Sequence, residues 1–308
     1  MEKLIEKHYG LRVRSLARVS QGVGGDVYFV DTDQGRFVLK GVERGDIYAK
    51  NEPRIAAFLA RRDIPVAEYL PTRGGAFFFS GGRRYHLQRF VEGTVYSYGE
   101  APAWLITESA RMLGRIHSAL ADHTPLPLGM GPDFFAFLRS DTPRARYTKT
   151  LARARAAKDA SVIADVEFRL AQLHKLRETT YDYARFTVGN THGDYKISQI
   201  ICGSGHIAAV VDWTAACTHP LCLEIIRSYA HAAPAFSFEG LRAYAEEYQC
   251  FAPLTDYDLR MMPYFYRDQL LACDYYGQYY ASTSQNRADY LAQARFATKL
   301  LRGFTLSC

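Results

Sequence analysis

Two short segments in the middle of the chain carry the residue types that phosphoryl transfer requires. Asp194 follows a His-Gly pair that is typical of a tight turn, and the amide of Gln199 comes five residues later. A second carboxylate, Asp212, directly follows the apolar run 207–211. Phosphoryl transfer needs a carboxylate to orient the attacking hydroxyl group and oxygen ligands to hold Mg²⁺ against the phosphates. The pattern therefore predicts Asp194 as the catalytic base and Asp212 and Gln199 as metal ligands. The alternative is a surface turn and an unrelated carboxylate at a strand end.

A glycine-rich segment near the N-terminus offers a place for phosphates. Gly22, Gly24 and Gly25 precede a β-rich run at 27–30, and glycines let the backbone approach a phosphate closely. The third glycine of a full phosphate-binding turn is missing, and Val27 takes its place. We interpret the three glycines as cofactor-binding residues, and a plain hairpin turn is the alternative.

Lys40 and Glu52 could form an ion pair that fixes the lysine against the phosphates. Lys40 closes the apolar strand 36–40, where its ammonium group could bind phosphate as a point charge. Glu52 comes three residues before an apolar helical stripe that begins at Ile55, near the expected start of a helix. The alternatives are a solvated strand end for Lys40 and a carboxylate that is favoured at a helix N-terminus for Glu52.

The elements around these residues divide the chain into two parts. The N-terminal third contains short strand patterns and one helix, and helical periodicity dominates afterwards, for example over 103–120. This order predicts an α+β chain with a strand-rich lobe at 1–88, a hinge at 89–93 and a larger helical lobe at 94–308. The basic stretch 143–178 is interpreted as helical, with its charges on a solvated face.

The composition is that of an ordinary globular protein, with 48% hydrophobic and 23% charged residues in a chain of 308. The formal charge of +6 is spread without a block of like charge, so we expect no nucleic-acid partner. The N-terminus lacks the apolar core of a signal peptide, and no run of about 18 apolar residues occurs, so we expect a cytoplasmic protein without a membrane partner. The six cysteines have no metal-ligand spacing and are predicted to be reduced thiols.

With these residues identified, the chain resembles the aminoglycoside phosphotransferase and choline kinase-like family, which has a protein-kinase-like fold. The resemblance covers nearly the whole chain in the order of the family's motifs. The matching segments are 21–30, 38–40, 52, 87–93, 113–117, 192–194 and 211–213. The resemblance implies that ATP or GTP binds with Mg²⁺ between two lobes. It also implies nucleotide binding by Lys40 and Glu52 and, in the hinge that meets the base, by Gln88 and Phe90.

Two positions of the catalytic loop bear on this resemblance. The family usually has asparagine where this chain has Gln199, so the extra methylene leaves the number of bound metal ions open. Lys196 lies two residues after Asp194, where many protein kinases carry a lysine that touches the γ-phosphate. Lys196 is therefore predicted to be a second catalytic residue, and a solvent-facing loop lysine is the alternative.

A tyrosine cluster near the C-terminus could serve the core or a substrate cleft. Its members are Tyr275, Tyr276, Tyr279 and Tyr280. Aromatic residues three and four apart on a helix usually face a core, so packing is the favoured interpretation and a substrate cleft the alternative.

The predicted function is that of a small-molecule kinase, which transfers the γ-phosphate of ATP or GTP to a hydroxyl group of its substrate. Polycationic aminoglycosides call for an acidic pocket, whereas residues 221–308 hold nine acidic and eight basic residues. Amino alcohols, sugars, nucleosides and amino acids therefore stay open as substrates. The alternative is a catalytically weak or inactive kinase-like protein with a binding or structural role, as in kinase-like spore-coat proteins. Gln199 and the incomplete glycine turn favour that alternative.

Overall fold

An antiparallel sheet of five strands forms the N-terminal part of the protein. The computed structural model describes residues 1–19, 26–42, 46–282 and 287–304. The strands follow the spatial order β1-β2-β3-β5-β4. Their bounds are Val13–Arg18 (β1), Val27–Thr32 (β2), Gly35–Val42 (β3), Phe79–Ser80 (β4) and Arg84–Arg89 (β5). Helix α1, Glu2–Tyr9, buries Ile5 in the core of this sheet.

The central strand β3 determines where Lys40 points. In the ladders Lys40 lies opposite Val27 of β2 and His86 of β5. Phe37 and Leu39 are buried in the small core beneath the sheet, and successive side chains of a strand point to opposite faces, so Lys40 points away from that core. Because β3 continues to Val42, the predicted strand end at Lys40 is wrong. Lys40 lies inside a strand that is paired on both sides.

Helix α2, Asp46–Ala60, lies between β3 and β4 in sequence but packs onto the larger part of the protein. Ile55 and Leu59 are buried in the large core, together with Ile64 just after the helix. Glu52 lies in the middle of α2, so its predicted position near the helix start is wrong. The apolar stripe appears only in the half of the helix that meets the large core, which is why the sequence pattern shortens the helix.

Helices make up most of the C-terminal part and enclose one large apolar core. Their bounds are Ala103–Leu120 (α3), Pro132–Arg139 (α4), Thr142–Ala156 (α5), Ala160–Gln172 (α6), Leu221–Ala232 (α7), Phe238–Gln249 (α8), Asp256–Ala272 (α9), Tyr275–Ala281 (α10) and Arg287–Gly303 (α11). Helix α3 has the predicted bounds, because its apolar stripe runs from one end to the other. It crosses α8 closely at Gly114, where a Cβ atom would meet the carbonyl oxygen of Tyr248.

Two short strand pairs carry the central motifs. Strand β6, Val188–Thr191, pairs antiparallel with β9, Cys217–Pro220. Strand β7, Ile200–Cys202, pairs antiparallel with β8, Ile207–Val210. These pairings bring the loop after β6 and the loop after β8 to the same side of the protein, facing the five-stranded sheet.

The basic stretch 143–178 forms α5, α6 and a short 3-10 helix, as predicted, but one of its charges is internal. Arg169 is buried, and its guanidinium group donates hydrogen bonds to Tyr147 Oη (2.9 Å), Leu270 O (2.7 Å) and Thr298 Oγ1 (2.9 Å). A buried arginine with these partners ties three helices and the end of α9 together. The solvated-face interpretation is therefore wrong for this residue.

The α+β fold class, with a strand-rich N-terminal part and a helical C-terminal part, is confirmed. The shortest strand of the sheet, β4, has two residues. Cys202, Cys222, Cys250 and Cys273 are free cysteines. In the described segments, no helix combines the length and the apolar character needed to cross a bilayer. The exact lobe boundaries at 88 and 93 stay a prediction.

Candidate active site

The loop after β6 turns sharply and presents Asp194. Gly193 has a φ of 79°, in the left-handed region that side chains with a Cβ atom rarely adopt. A Cβ atom at this position would also collide with the carbonyl oxygen of Ala215. Glycine is therefore required for the loop to pass against the segment that follows Asp212. The side chain of Asp194 is about one-third exposed. The loop after β8, which His192 joins to this turn, contacts the sheet through the Asp212–Lys40 bond, and the space between the two parts at this point is called the cleft.

His192 braces this turn. One ring nitrogen, Nε2, lies 2.9 Å from the carbonyl oxygen of Val211, and the other, Nδ1, accepts a hydrogen bond from the backbone N–H of Asp194 at 3.3 Å. The ring packs against Trp213, with 4.4 Å between the ring centroids. His192 and Trp213 are both buried, so Trp213 is a packed aromatic. His192 thereby ties the two loops together through its backbone contacts.

Glu224 is a buried carboxylate that anchors the loop carrying Asp194, and the sequence interpretation missed it. It accepts hydrogen bonds from the backbone N–H groups of His192 (3.1 Å) and Tyr195 (3.2 Å). Its other partners are His117 Nε2 at 3.0 Å and Arg227 Nη2 at 3.3 Å. Burial works against the charge, but these partners outweigh it and hold the pKa of Glu224 well below its usual range. A carboxylate inside the apolar segment that begins α7 is the signal that could have identified it.

Lys196 and Gln199 both reach Asp194. The Lys196 ammonium group lies 3.0 Å from Asp194 Oδ2, and the two side chains form an ion pair at the edge of the cleft. Burial works against the lysine charge, but the Asp194 carboxylate outweighs it and raises the pKa of Lys196. Gln199 closes a short 3-10 helix, Ile197–Gln199, and its Nε2 lies 3.5 Å from Asp194 Oδ2. Lys196 is thus not a solvent-facing loop lysine.

Lys40 and Glu52 form the predicted ion pair, and Asp212 joins it. The Lys40 ammonium group donates to Glu52 Oε1 (2.9 Å) and to Asp212 Oδ1 (2.6 Å). Thr214, which the sequence interpretation missed, completes the group at 2.8 Å from Lys40 Nζ. Burial works against the lysine charge, but the two carboxylates outweigh it and hold the pKa of Lys40 above its ordinary value. Neither the solvated strand end nor the helix-start interpretation describes these residues.

Asp212 stands on strained backbone and keeps one carboxylate oxygen free. Its φ of 65° lies in the left-handed region, where residues other than glycine are uncommon and often functional. Oδ1 accepts hydrogen bonds from Lys40 and Thr214, whereas Oδ2 bonds to no group in the described segments. The side chain is 40% exposed. Burial raises the pKa of Asp212, but the Lys40 charge together with the hydrogen bonds from Lys40 and Thr214 outweighs burial, so the pKa lies well below its usual range.

The donors at this end of the cleft suit Mg²⁺. Asp212 offers a carboxylate oxygen and Gln199 an amide oxygen, and the ion prefers one or two such ligands together with phosphate oxygens and water. The backbones that carry them are joined, because the N–H group of Val211 donates to the carbonyl oxygen of Gln199 at 3.0 Å. Across residues 1–19, 26–42, 46–282 and 287–304, no group of three His, Cys, Asp or Glu side chains could hold a metal ion. These residues therefore fit an ion whose remaining ligands come from a bound nucleotide.

The segment between the two parts of the protein differs in detail from the prediction. Gln88 is buried next to Tyr69, behind the Lys40–Glu52 pair. The backbone N–H of Phe90 donates to the carbonyl oxygen of Arg36 at 3.1 Å, and its ring packs against the Arg36 guanidinium group. Phe90 therefore has no free backbone donor for a base, because the sheet uses it. In the described segments the N–H group of Val91, one residue later, has no acceptor. The predicted phosphate-binding residues Gly22, Gly24 and Gly25 lie outside the described residues.

The tyrosine cluster packs partly into the large core. Tyr276 is buried, and its hydroxyl group donates to the Asp165 carboxylate. Tyr275 is only partly buried, and its pKa is raised by the neighbouring Cys273 and by burial, with a smaller contribution from Asp194. Tyr275 and Tyr280 pack against the large core while staying partly exposed. The core interpretation therefore holds for Tyr276, and the substrate cleft stays a prediction for the other members.

Several solved structures share this fold at low sequence identity. An amicoumacin kinase in complex with AMP-PNP and Ca²⁺ matches with a TM-score of 0.67 at 15% identity, over 98% of this chain and 92% of that one. A spectinomycin phosphotransferase in complex with ADP and spectinomycin matches with a TM-score of 0.65 at 13% identity, over 98% and 97%. A macrolide 2'-phosphotransferase from Brachybacterium faecium matches with a TM-score of 0.55 at 20% identity, over 96% and 97%. No curated protein sequence matches the chain.

A sequence model of one family covers most of the chain. The model of the phosphotransferase enzyme family matches residues 15–261, which include every predicted site residue from Gly22 to Asp212. The kinase-like fold of the similar structures agrees with this match. The resemblance noted from the motifs is confirmed, and the chain is an enzyme of the phosphotransferase class. It belongs to the phosphotransferase enzyme family.

Proposed function

We propose that this protein is a small-molecule kinase that transfers the γ-phosphate of ATP to a hydroxyl group of its substrate. The observation that carries the proposal is the convergence of two charged clusters on one cleft. In one cluster, Lys40 Nζ lies 2.9 Å from a carboxylate oxygen of Glu52 and 2.6 Å from one of Asp212. The other joins Asp194 and Lys196 at 3.0 Å. Positioned charges of both signs along one cleft are what phosphoryl transfer requires, since catalysis there is mainly positioning and electrostatic stabilisation.

Each side chain has a role in this proposal. Asp194 orients the substrate hydroxyl group and accepts its proton during attack on the γ-phosphate. Lys196, beside it, offsets negative charge that develops on the transferred group. Lys40 binds the phosphates of the nucleotide, and Glu52 keeps its ammonium group in place. Glu224 and His192 act through the backbone, because they hold the loop that carries Asp194.

ATP and Mg²⁺ are the cofactors that we propose. Two of the similar structures contain AMP-PNP or ADP, which supports an adenine nucleotide over GTP. The free N–H group of Val91 lies in the segment that joins the two parts, where it can donate to the base. Asp212 and Gln199 would hold Mg²⁺, which neutralises phosphate charge when it is bound.

A screen of hydroxyl-bearing metabolites for ATP consumption, followed by Asp194→Asn, tests this proposal. We expect kcat of the variant to fall by about 10²- to 10⁴-fold, because a general base contributes about that much. Stabilisation by Mg·ATP should persist, since Asp194 acts on the acceptor rather than on the nucleotide. A rise in melting temperature with Mg·ATP measures that binding.

Asp122→Asn is the matched control, because Asp122 is a carboxylate with 75% of its side chain exposed, away from the cleft. The control should keep the wild-type kcat. If Asp194→Asn keeps most of its kcat, Asp194 has no part in the mechanism. If neither ATP consumption nor Mg·ATP stabilisation occurs in the wild type, the inactive binding protein becomes the better interpretation.

A further inference from the structure

Arg227 of α7 extends its guanidinium group under the loop that carries Asp194. Its Nη2 donates to the carbonyl oxygen of Gly193 at 2.6 Å and to Glu224 Oε1 at 3.3 Å. Only 14% of the side chain is exposed. Gly193 directly precedes Asp194, so this guanidinium group lies next to the backbone of the proposed catalytic base.

Two of the three nitrogens of Arg227 have no partner. Nε is buried without a hydrogen-bond acceptor, and Nη1 bonds to no group in the described segments of the chain. Buried polar groups are almost always paired, so a buried cation with unused donors is unusual and points to a missing acceptor. Because Nε is covered and Nη2 is engaged, Nη1 is the nitrogen that a ligand could reach.

The groups around Arg227 place it on the acceptor side of the cleft. Burial works against its charge, but Asp194, and after it Glu224, outweigh burial and raise the pKa of Arg227. Tyr266 of α9 and Tyr275 of α10 also act to raise its pKa. These helices belong to the C-terminal part, whereas the Lys40 cluster lies against the sheet. Arg227 therefore lies on the far side of Asp194 from the Lys40 cluster, which would bind the nucleotide.

The charges in this region disfavour a cationic acceptor. Lys196 pairs with Asp194 at 3.0 Å, and the charge of Arg227 acts to lower the pKa of Lys196. The nearby Glu224 is buried and already accepts four hydrogen bonds. An ammonium group of a substrate would meet two positive charges here, and both carboxylates beside them, Asp194 and Glu224, are already paired.

An aromatic wall completes the region. Tyr98 packs edge-on against His231 with 4.7 Å between the ring centroids, and Phe296 lies 4.7 Å from the same imidazole. Tyr98 also contributes to the raised pKa of Lys196, so the wall adjoins the catalytic lysine. These aromatic rings suit the flat or apolar part of a substrate. A charged group of the substrate would bind to Arg227 instead.

We propose that the acceptor substrate carries an oxyanion, either a carboxylate or a phosphate monoester, and that Arg227 Nη1 holds it while Asp194 meets the hydroxyl group. Arg227 is thus a specificity-determining residue in addition to its contact with Gly193. This inference rests on the proposed kinase function, because it assigns the substrate class of the same site.

Matched pairs of probes test the inference. One pair is 4-(hydroxymethyl)benzoate and 4-(hydroxymethyl)benzamide, and the other is glycerol 3-phosphate and glycerol. The first pair tests for a carboxylate and the second for a phosphate monoester. Binding is measured as the rise in melting temperature with Mg·ADP present, and turnover as ADP formed from Mg·ATP. We expect the anionic member of at least one pair to be preferred by about 10- to 100-fold, as for a hydrogen bond to a charged group.

Arg227→Gln should abolish that preference, and Arg227→Lys should keep part of it because the positive charge remains. Arg242→Gln, a change at an exposed arginine of α8, is the control and should keep the wild-type preference. If Arg227 only braces Gly193, both variants will lower the two members of each pair equally, and the inference is overturned. It is also overturned if the wild type shows no difference between anionic and neutral probes in either pair.

The outcome for the kinase function is separate. Failure of that function would appear as no ADP formation with any hydroxyl acceptor and no stabilisation by Mg·ATP. Stabilisation by the anionic probes alone, lost in Arg227→Gln, would still support the anion site. Conversely, phosphorylation of neutral acceptors that is indifferent to charge would leave the kinase function standing and remove the anion site.

Discussion

Gln199 is the residue at which this chain departs from the asparagine usual in its family. Its amide lies 3.5 Å from the Asp194 carboxylate, and its backbone carbonyl group accepts the N–H group of Val211, next to Asp212. The side chain thus stands between the two carboxylates of the site. An extra methylene lengthens its reach, and the amide oxygen is still available for a cation. We therefore expect Gln199 to serve as a metal ligand rather than as a packing residue.

Substitutions of Gln199 that differ in one property each test this role. Gln199→Asn should keep or raise activity, because it restores the shorter amide. Gln199→Ala should lose about 1 to 3 kcal/mol of transition-state stabilisation, like other single electrostatic contacts in phosphoryl transfer. Gln199→Leu should lose as much as Gln199→Ala, because it fills similar volume but offers no oxygen. The dependence of kcat/KM on Mg²⁺ concentration is the measurement. Wild-type kinetics in the Leu variant would exclude Gln199 as a ligand.

At the scale of elements, the passage from β9 into α7 gathers buried titratable groups beneath the catalytic loop. His219 of β9 is fully buried, and its Nδ1 lies 2.9 Å from the carbonyl oxygen of Pro220. Burial lowers the pKa of His219 to about 4, and the nearby Arg227 acts in the same direction while Glu224 opposes it. The ring is therefore neutral in the folded protein at pH 7. Protonating it would place a charge beside Arg227.

This histidine makes the stability of the fold depend on pH. The pKa of His219 is depressed on folding, so between its unfolded value near 6.5 and about 4 the unfolded chain binds more protons. The free energy of unfolding should therefore fall as pH decreases through that window, by about 2 kcal/mol between pH 7 and pH 5. His219→Asn should remove this part of the pH dependence. Urea unfolding at pH 7 and pH 5 measures it.

His206→Asn, at an exposed histidine, is the control and should leave the pH dependence unchanged. Equal slopes in the wild type and His219→Asn would show that His219 titrates alike in the folded and unfolded chains. Half-buried His231, whose pKa is also lowered to about 4 by burial, contributes equally to both proteins and cancels in the comparison.

Elements with a local sequence pattern could be predicted, whereas contacts between elements could not. The full-length stripe of α3 and the Asp194 and Asp212 motifs were predictable, because local spacing specifies them. Thr214, Glu224 and Arg227 were not identified, since they have no motif of their own. Thr214 meets Lys40 only when the sheet packs against the loop after β8, and Glu224 and Arg227 meet the loop after β6 only when α7 packs beneath it. Phe90 was assigned to the base for its place in a hinge motif, but strand pairing uses its N–H group. Strand pairing and helix packing join residues that are far apart in the sequence, and a single sequence does not show which residues meet.

For the molecule as a whole, one cluster joins the small sheet to the large helical part. Lys40 comes from the sheet, Glu52 from α2, and Asp212 from the loop after β8. Glu52 is almost completely buried, and His86 Nδ1 lies 3.6 Å from its second oxygen. A buried carboxylate needs its counter-charge, because an unpaired ion in the interior costs several kcal/mol.

Replacing Lys40 alone should therefore destabilise the protein more than replacing both Lys40 and Glu52. Lys40→Met should lower the free energy of unfolding by about 3 kcal/mol or more, because Glu52 loses its main counter-charge. The double variant with Glu52→Gln should recover most of that loss. Urea unfolding of the two single variants and the double variant gives the coupling energy, which we expect to lie between about 0.5 and 3 kcal/mol. Additive losses would mean that Lys40 and Glu52 do not act as a pair.

The packing of α2 prevents the N-terminal and C-terminal parts from being separated cleanly at residue 93. This helix lies in the N-terminal third of the sequence, yet Ile55, Leu59 and Ile64 are buried in the core of the C-terminal part. A fragment that ends at residue 93 would expose these side chains to water, at about 1.5 to 3 kcal/mol for each. The remaining fragment would lose the surface that covers its core. Chimeras between members of this family that cross over at the hinge therefore have to match α2 to the helices that receive it, or the recombined protein inherits a defective core.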